Sequence, residues 1–293
     1  MHQRLGQHFL INKSAIAETI AALTLEENDL VVEIGPGHGA LTLPLAQKCV
    51  GFNCKIMAIE KDAALVDNLS ETMRKYGNMV QIIAGDALEE LPKLAKRESL
   101  GDEDGKGWKL VGNIPYYITG KLLRIIGELE NKPHITVLMV QKEVAERITA
   151  TPKGGMNPVR SSPPIGPSGA LRAGATSNGM NLLAAATQFW SDISIIKRLK
   201  PSDFDPPPEV DSAIIKLKIK DQRSKRREAE GYYKLIKIAF KQPRKTLLNN
   251  LVDGLDDKKE VILQKIADLG FNEKTRGQEL SVEQLLVLAR SFG

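Results

Sequence analysis

The chain is poor in the residues that build metal sites and disulfide frameworks. Its 293 residues include two cysteines, Cys49 and Cys54, and four histidines, His2, His8, His38 and His134. That is too few, and too scattered, for a structural zinc site or a disulfide scaffold, so no metal is expected. Two lone thiols fit a reducing cytoplasm. No apolar run approaches the roughly 18 residues that cross a bilayer, which excludes a membrane-spanning helix and a membrane partner. The opening MHQRLGQHFL lacks the apolar stretch of a secretory signal, so export is not expected. Aromatic residues make up only 5% of the chain, and a core must be built mainly from Leu, Ile, Val and Ala. The rest is ordinary for a globular protein, with 42% hydrophobic and 26% charged residues. The length corresponds to about two domains.

The net charge is +5 and the isoelectric point about 9.0, but the distribution says more than the total. Between Lys220 and Asn250 stand ten basic residues and three acidic ones. Such a local excess suits a polyanionic partner. Arg223, Arg226, Arg227, Lys241, Arg244 and Lys245 are the candidate contacts. The plain alternative is a solvated helix face.

Hydrophobic periodicity organises the chain. Residues 14–25 read as an amphipathic helix with Ser14 as N-cap. Strands are expected at 30–34, 55–59, 80–83, 109–111 and 135–141, and helices at 41–49, 63–76, 119–129 and 143–149. Strand–helix alternation predicts an α/β fold with a parallel, doubly wound sheet. Two β-branched segments, 192–199 and 212–219, read as a closing hairpin. After Lys220 the pattern is helical at 228–240, 243–252, 258–268 and 281–291, with Pro243 opening the second helix. Gly270 stands at a C-cap and Ser281 at an N-cap. These readings give a catalytic-type domain over 1–221 and a small all-α domain over 222–293. A polar loop covers 97–107. Over 152–179, Pro, Gly and Ser fill 15 of 28 positions, a composition that buries no core and reads as a flexible insertion.

Chemistry concentrates at strand ends. Glu33-Ile-Gly35-Pro-Gly37-His-Gly39 follows the first sheet strand and precedes a helix. Its glycines permit a tight turn and close approach to a ligand. The spacing is not that of the dinucleotide fingerprint, which argues against a dehydrogenase. Glu60 ends the next strand, where it can accept two ribose hydroxyls, and Asp86 follows the third, where it can face an adenine amino group. Carboxylates after successive parallel strands share the crevice at the carboxyl edge of the sheet. Asn113-Ile114-Pro115-Tyr116 ends the fourth strand. An adenine amino group is a poor nucleophile because its lone pair is delocalised into the ring. If the Asn113 side-chain oxygen and the Ile114 carbonyl each accept an amino hydrogen, the nitrogen becomes more tetrahedral. Tyr116 can stack on the base. This is positioning and dipole stabilisation without a general base.

With these motifs in hand, the chain resembles the KsgA family of ribosomal small-subunit adenine dimethyltransferases over nearly its whole length, the 152–179 stretch excepted. Gly6-Gln-His-Phe-Leu10, the glycine loop, Glu60, Gly85-Asp86 and the Asn-Ile-Pro-Tyr segment occur in the family's order. Phe204-Asp-Pro-Pro-Pro-Glu-Val-Asp-Ser212 matches its F-x-P-x-P-x-V-x-S segment, and residues 239–247 and 276–281 match its helical end. The resemblance implies a Rossmann-like class I methyltransferase sheet using S-adenosylmethionine as co-substrate. It implies donor contacts from His8, Leu10, Gly35, Gly37, Glu60, Asp86, Ala87 and Asn113. It implies a target adenine held between Tyr116 and Phe204. The substrate it implies is a pair of adjacent adenines in a hairpin loop near the 3′ end of small-subunit ribosomal RNA, each dimethylated at N6 on the immature 30S subunit by a monomer. His8 stands where the family often has Asn, Ile114 where Leu is commoner, and Pro243 where a basic residue is usual. The competing readings are a large-subunit adenine methylase of the macrolide-resistance type, and a non-catalytic RNA-binding assembly factor on the same fold.

Overall fold

The computed structural model describes residues 8–96, 107–153, 179–220 and 226–292, with side chains from Glu228 onward in the last segment. The chain separates into two compact units, one of residues 1–145 with 192–219, the other of 146–191 with 220–293.

The first unit is built on a seven-stranded sheet. Its strands are β2 (Leu30–Ile34), β3 (Lys55–Glu60), β4 (Val80–Ala84), β5 (Lys109–Asn113), β6 (Ile135–Gln141), β7 (Ser191–Leu199) and β9 (Ser212–Ile219). They lie in the order β4-β3-β2-β5-β6-β9-β7. Neighbours from β4 to β6 are parallel, with Val32 opposite Met57 on one side and Leu110 on the other. β9 runs antiparallel to β6, with Val137 opposite Lys216. The central strands are continuous apolar runs because helices cover both faces; Val31, Val32 and Val137 through Val140 are fully buried. The chain runs outward from β2 to β4 and then returns to β5 on the other side of β2. That reversal opens a crevice at the carboxyl ends of β2 and β5. Two-residue strands β1 (Phe9–Leu10) and β8 (Phe204–Asp205) form a separate antiparallel pair with Leu10 opposite Phe204.

The helices of this unit are α1 (Lys13–Ala22), α2 (Thr42–Phe52), α3 (Ala63–Met73), α4 (Ala87–Ala95) and α5 (Thr119–Glu128), and α6 (Lys142–Ile148) follows β6. Asn12, not Ser14, caps α1. Its side chain accepts from the Ala15 N–H at 3.0 Å, while the Ser14 hydroxyl donates to Glu18 at 2.9 Å. The asparagine wins because it has the extended backbone an N-cap requires. A buried ion pair joins Lys109 at the foot of β5 to Asp29 at 2.6 Å. The same ammonium donates to the Thr24 carbonyl at 2.7 Å.

The second unit contains α7 (Leu182–Trp190), α8 (Arg226–Ala239), α9 (Leu247–Val252), α10 (Lys259–Asp268) and α11 (Val282–Ser291). Its division from the sheet unit differs from a boundary at 221–222, because residues 146–191 group with the C-terminal helices. The reason lies in α7. The Tyr232 ring stacks on Phe189 with centroids 4.3 Å apart, and its hydroxyl donates to the Ala185 carbonyl at 3.0 Å. Thr246, rather than Pro243, caps α9. Gly270 follows α10 at φ +80° and closes it with two backbone bonds, Gly270 N–H to the Ala267 carbonyl and Phe271 N–H to the Ile266 carbonyl. Ser281 caps α11 in a reciprocal pair with Gln284. Among the described residues no helix is long and apolar enough to cross a membrane. Residues 154–178 of the Pro/Gly/Ser-rich stretch, and 97–106 of the polar loop, lie outside the described residues.

Candidate active site

A cleft open to solvent lies at the carboxyl ends of β2, β3, β4 and β5. Each strand contributes the residue that follows it. Gly35 and Gly37 come from the turn after β2, Glu60 ends β3, Asp86 and Ala87 follow β4, Asn113 ends β5, and Ile114 through Tyr116 follow it.

The glycine turn is shaped for close approach. Gly37 has φ +56°, and a Cβ there would stand 2.7 Å from the Phe9 ring. That ring packs against His38 with centroids 4.6 Å apart. The residues around β1 therefore lie against the glycine turn. Their approach requires that position 37 carry no side chain.

The Glu60 carboxylate is only 4% exposed, and both of its oxygens accept backbone hydrogen bonds. Oε2 accepts from the Gly37 N–H at 3.1 Å, and Oε1 from the Lys61 and Asp62 N–H groups at 2.9 Å. Three backbone donors fix the group rigidly at the strand end. Asp86 caps α4, with Oδ1 accepting from the Leu88 N–H at 2.9 Å. Its Oδ2 accepts from the Lys61 ammonium at 2.9 Å. The Lys61 contact, then the Leu88 amide, hold the Asp86 carboxyl below the usual range.

Asn113 is positioned from two sides. Its side-chain N–H donates to the His8 carbonyl at 2.7 Å. This assigns the amide and leaves Oδ1 as the acceptor. Its backbone carbonyl lies 3.3 Å from where a Gly35 Cβ would stand. Ile114 is 2% exposed. The Tyr116 hydroxyl shares a 2.6 Å hydrogen bond with Ser212 Oγ, and its ring lies against His8 with centroids 5.9 Å apart and planes at 24°. Burial raises the Tyr116 phenol above its ordinary range. His8 Nδ1–H donates to the Pro206 carbonyl at 2.8 Å.

Of the residues expected at the site, His8, Gly35, Gly37, Glu60, Asp86, Ala87 and Asn113 through Tyr116 line the cleft together. Leu10 and Phe204 do not. Each is 2% exposed, and they are register partners in the β1–β8 pair, packed in the apolar core. Phe204 is buried in the apolar cluster with Leu10, where the short β8 strand pairs it against β1. Sequence reasoning gave no role to Phe9, Lys61 or Ser212. Ser212 lies 96 residues from Tyr116, and only the antiparallel β6–β9 pairing brings its motif to the end of the sheet.

One further carboxylate stands beneath the site. Glu33 in β2 is fully buried, and neither of its oxygens has a hydrogen-bond partner among the described residues. Burial pushes its carboxyl up to about 8, the nearby Glu60 charge adding to the shift and the Thr42 hydroxyl opposing it.

In the second unit, Lys241 and Arg244 are exposed in the turn between α8 and α9. Lys245 pairs with Asp253 at 2.7 Å. Asn250 clamps this turn, donating to the Gln242 carbonyl at 3.0 Å and accepting from the Gln242 N–H at 3.1 Å. Arg223 lies outside the described residues, as do the side chains of Arg226 and Arg227 at the start of α8.

A cleft at the carboxyl edge with a rigid carboxylate after the second strand, on a seven-stranded sheet whose β9 reverses direction, defines a class I S-adenosylmethionine-dependent methyltransferase. Known proteins narrow the class. The family model for ribosomal RNA adenine dimethylases matches residues 1–156 and 170–292, and this chain belongs to that family. Curated relatives named ribosomal RNA small subunit methyltransferase A are similar along nearly the whole chain. The one from Dehalococcoides mccartyi is 36% identical over 96% of this chain and 84% of its own length. The one from Pelotomaculum thermopropionicum is 36% identical over 98% and 90%. Among solved structures, a dimethyladenosine transferase from Plasmodium falciparum has a TM-score of 0.71 at 24% identity, covering 96% of each chain. The 23S rRNA methyltransferase ErmE has a TM-score of 0.66 at 20% identity, covering 97% of this chain and 99% of its own. These two likenesses show the shared fold.

Proposed function

We propose that the chain dimethylates N6 of two adjacent adenines in the 3′-terminal hairpin loop of small-subunit ribosomal RNA. It would act on the immature 30S subunit, as a cytoplasmic monomer. The observation that carries the chemistry is the anchored Asn113 amide. Its nitrogen is committed to the His8 carbonyl, so its oxygen is the acceptor available to an incoming amino group.

The cleft fits the methyl donor. Glu60 supplies a fixed carboxylate for two ribose hydroxyls, Asp86 one for an adenine amino group, and the side-chain-free Gly35 and Gly37 the close backbone surface beside them. S-adenosylmethionine, when bound, supplies a methyl group made electrophilic by its sulfonium. Everything else falls to the chain. Asn113 Oδ1 and the Ile114 carbonyl take the two amino hydrogens of the target base and turn its lone pair out of the ring plane. Tyr116, its hydroxyl tied to Ser212, presents its ring as a stacking surface. The proton of the amino group leaves to solvent after transfer, so no side chain need act as a base. Loop adenines are already partly unstacked, which lowers the cost of bringing one into the cleft. Lys241 and Arg244 give the second unit cationic contacts for the RNA backbone.

The small-subunit substrate is favoured over the large because relatives at 34–36% identity carry small-subunit names. The large-subunit enzyme shares the fold at 20% identity. An intact donor set of Glu60, Asp86 and Asn113 disfavours a pure scaffold. The test is incubation with small subunits that lack the modification, followed by mass spectrometry of 3′-terminal RNA fragments. Two methyl groups on each of two adjacent adenines are expected; modification elsewhere, or of a single base, overturns the assignment.

A further inference from the structure

Tyr116 and Tyr117 are consecutive, line the same cleft, and have opposite fates. Tyr116 is half-buried with its hydroxyl tied to Ser212. Tyr117 is 67% exposed, the most exposed large apolar side chain among the described residues. Of the described aromatic residues only Phe52 is also exposed, and it lies at the far end of α2, outside the cleft. A short 3-10 turn, Tyr116–Ile118, separates the two rings and sends the second outward at the rim. At the mouth of the site this ring offers an uncovered apolar face with a polar hydroxyl at its edge.

The rim around it carries charges of both signs, including two exposed lysines, Lys61 and Lys121. The Lys61 side chain lines the same cleft as Tyr117 and is 56% exposed in its pair with Asp86. Lys121 is exposed on the first turn of α5, four residues after Tyr117. An exposed aromatic face at the mouth of a cleft, with lysines on the elements beside it, can hold a single-stranded nucleobase by stacking and its phosphate by charge.

We infer that Tyr117 is a second stacking platform, holding an unpaired base that adjoins the adenine in the cleft. The inference rests on the RNA-methylating reading and sharpens it. The enzyme then requires two consecutive unstacked bases, one inserted and one on the rim. A lone extruded base in a duplex would be a poor substrate. The adjoining base is recognised by its face and not by its edge, so its identity matters little.

The test uses the full-length enzyme and unmethylated small subunits. Tyr117→Ala is expected to raise KM for the subunit about tenfold or more, the size of one lost base–aromatic stack. It should leave kcat and S-adenosylmethionine affinity unchanged, and Tyr117→Phe and Tyr117→Trp should restore KM. A hairpin RNA carrying 2-aminopurine beside the target adenine reads the contact directly. Its fluorescence should be quenched by the wild type and by Tyr117→Phe, and not by Tyr117→Ala. An unchanged KM with equal quenching by Tyr117→Ala overturns the inference while the function stands. A Tyr117→Ala variant that loses cofactor affinity or thermal stability also overturns it, assigning Tyr117 to the turn itself. If the wild type methylates no small-subunit RNA, the parent reading falls and takes this inference with it.

Discussion

Asn113 combines two tasks in one side chain. Its nitrogen holds the His8 carbonyl, and its oxygen is the acceptor for substrate. Asn113→Ala should therefore abolish methyl transfer while calorimetry still detects S-adenosylmethionine binding, weakened by the loosened His8 segment. Turnover at the wild-type rate would refute the proposed activation of the amino group. Glu33 makes a prediction of the opposite kind, about stability. Its folded pKa of about 8 stands above the ordinary carboxylate value of 4.5. The folded state therefore binds a proton that the unfolded state has released. The stability this represents is fully present below pH 4.5 and is lost as pH rises through about 8. The loss is on the order of a few kcal/mol at about 1.4 kcal/mol per unit. Glu33→Gln, a neutral isostere, should flatten the fall in denaturation midpoint between pH 5 and about 8. An identical pH profile in the two proteins would show that Glu33 does not carry that proton.

Among the elements, β5 bears the heaviest demands, because it ends in the site and sits between β2 and β6. Gly112 lies one residue before Asn113, where an added Cβ would stand 2.7 Å from the Ile34 carbonyl. Backbone cannot yield as a flexible side chain can. Gly112→Ala should lower stability by about 1–3 kcal/mol in chemical denaturation and displace Asn113, so cofactor affinity should fall with it. A fully stable, fully active variant would mean that the strand end is slack. At the other end of β5, Asp29→Ala would strand the Lys109 charge in the interior. A loss of about 3–5 kcal/mol is expected from equilibrium unfolding. The parallel strands were legible from sequence because an apolar run bounded by a glycine turn or a carboxylate has few other readings. β2, β6 and β9 begin and end as the pattern predicts. The β1–β8 pair was not legible. Two-residue strands carry no periodicity, and their partners lie nearly 200 residues apart. The same blindness explains Phe204, since whether an aromatic in a proline-rich segment faces a cleft or a core depends on that pairing. α4 was missed as well. Pro92 within it masks the helical pattern, although Asp86 is an ordinary N-cap.

At the scale of the whole molecule, the two units divide the labour proposed here, one holding the donor and target base, the other presenting cations to the RNA. The family model passes over residues 157–169, so excising them should leave S-adenosylmethionine affinity within about twofold by calorimetry. A loss of binding would show that the stretch supports the donor site. The central claim, that the chain is a small-subunit adenine dimethylase, is tested most directly by offering labelled S-adenosylmethionine with unmethylated small and large ribosomal subunits in parallel. Label is expected in small-subunit RNA alone, recovered as dimethyladenosine at two neighbouring adenines of the 3′-terminal hairpin. Label in large-subunit RNA, or none in either despite measurable cofactor binding, would contradict it.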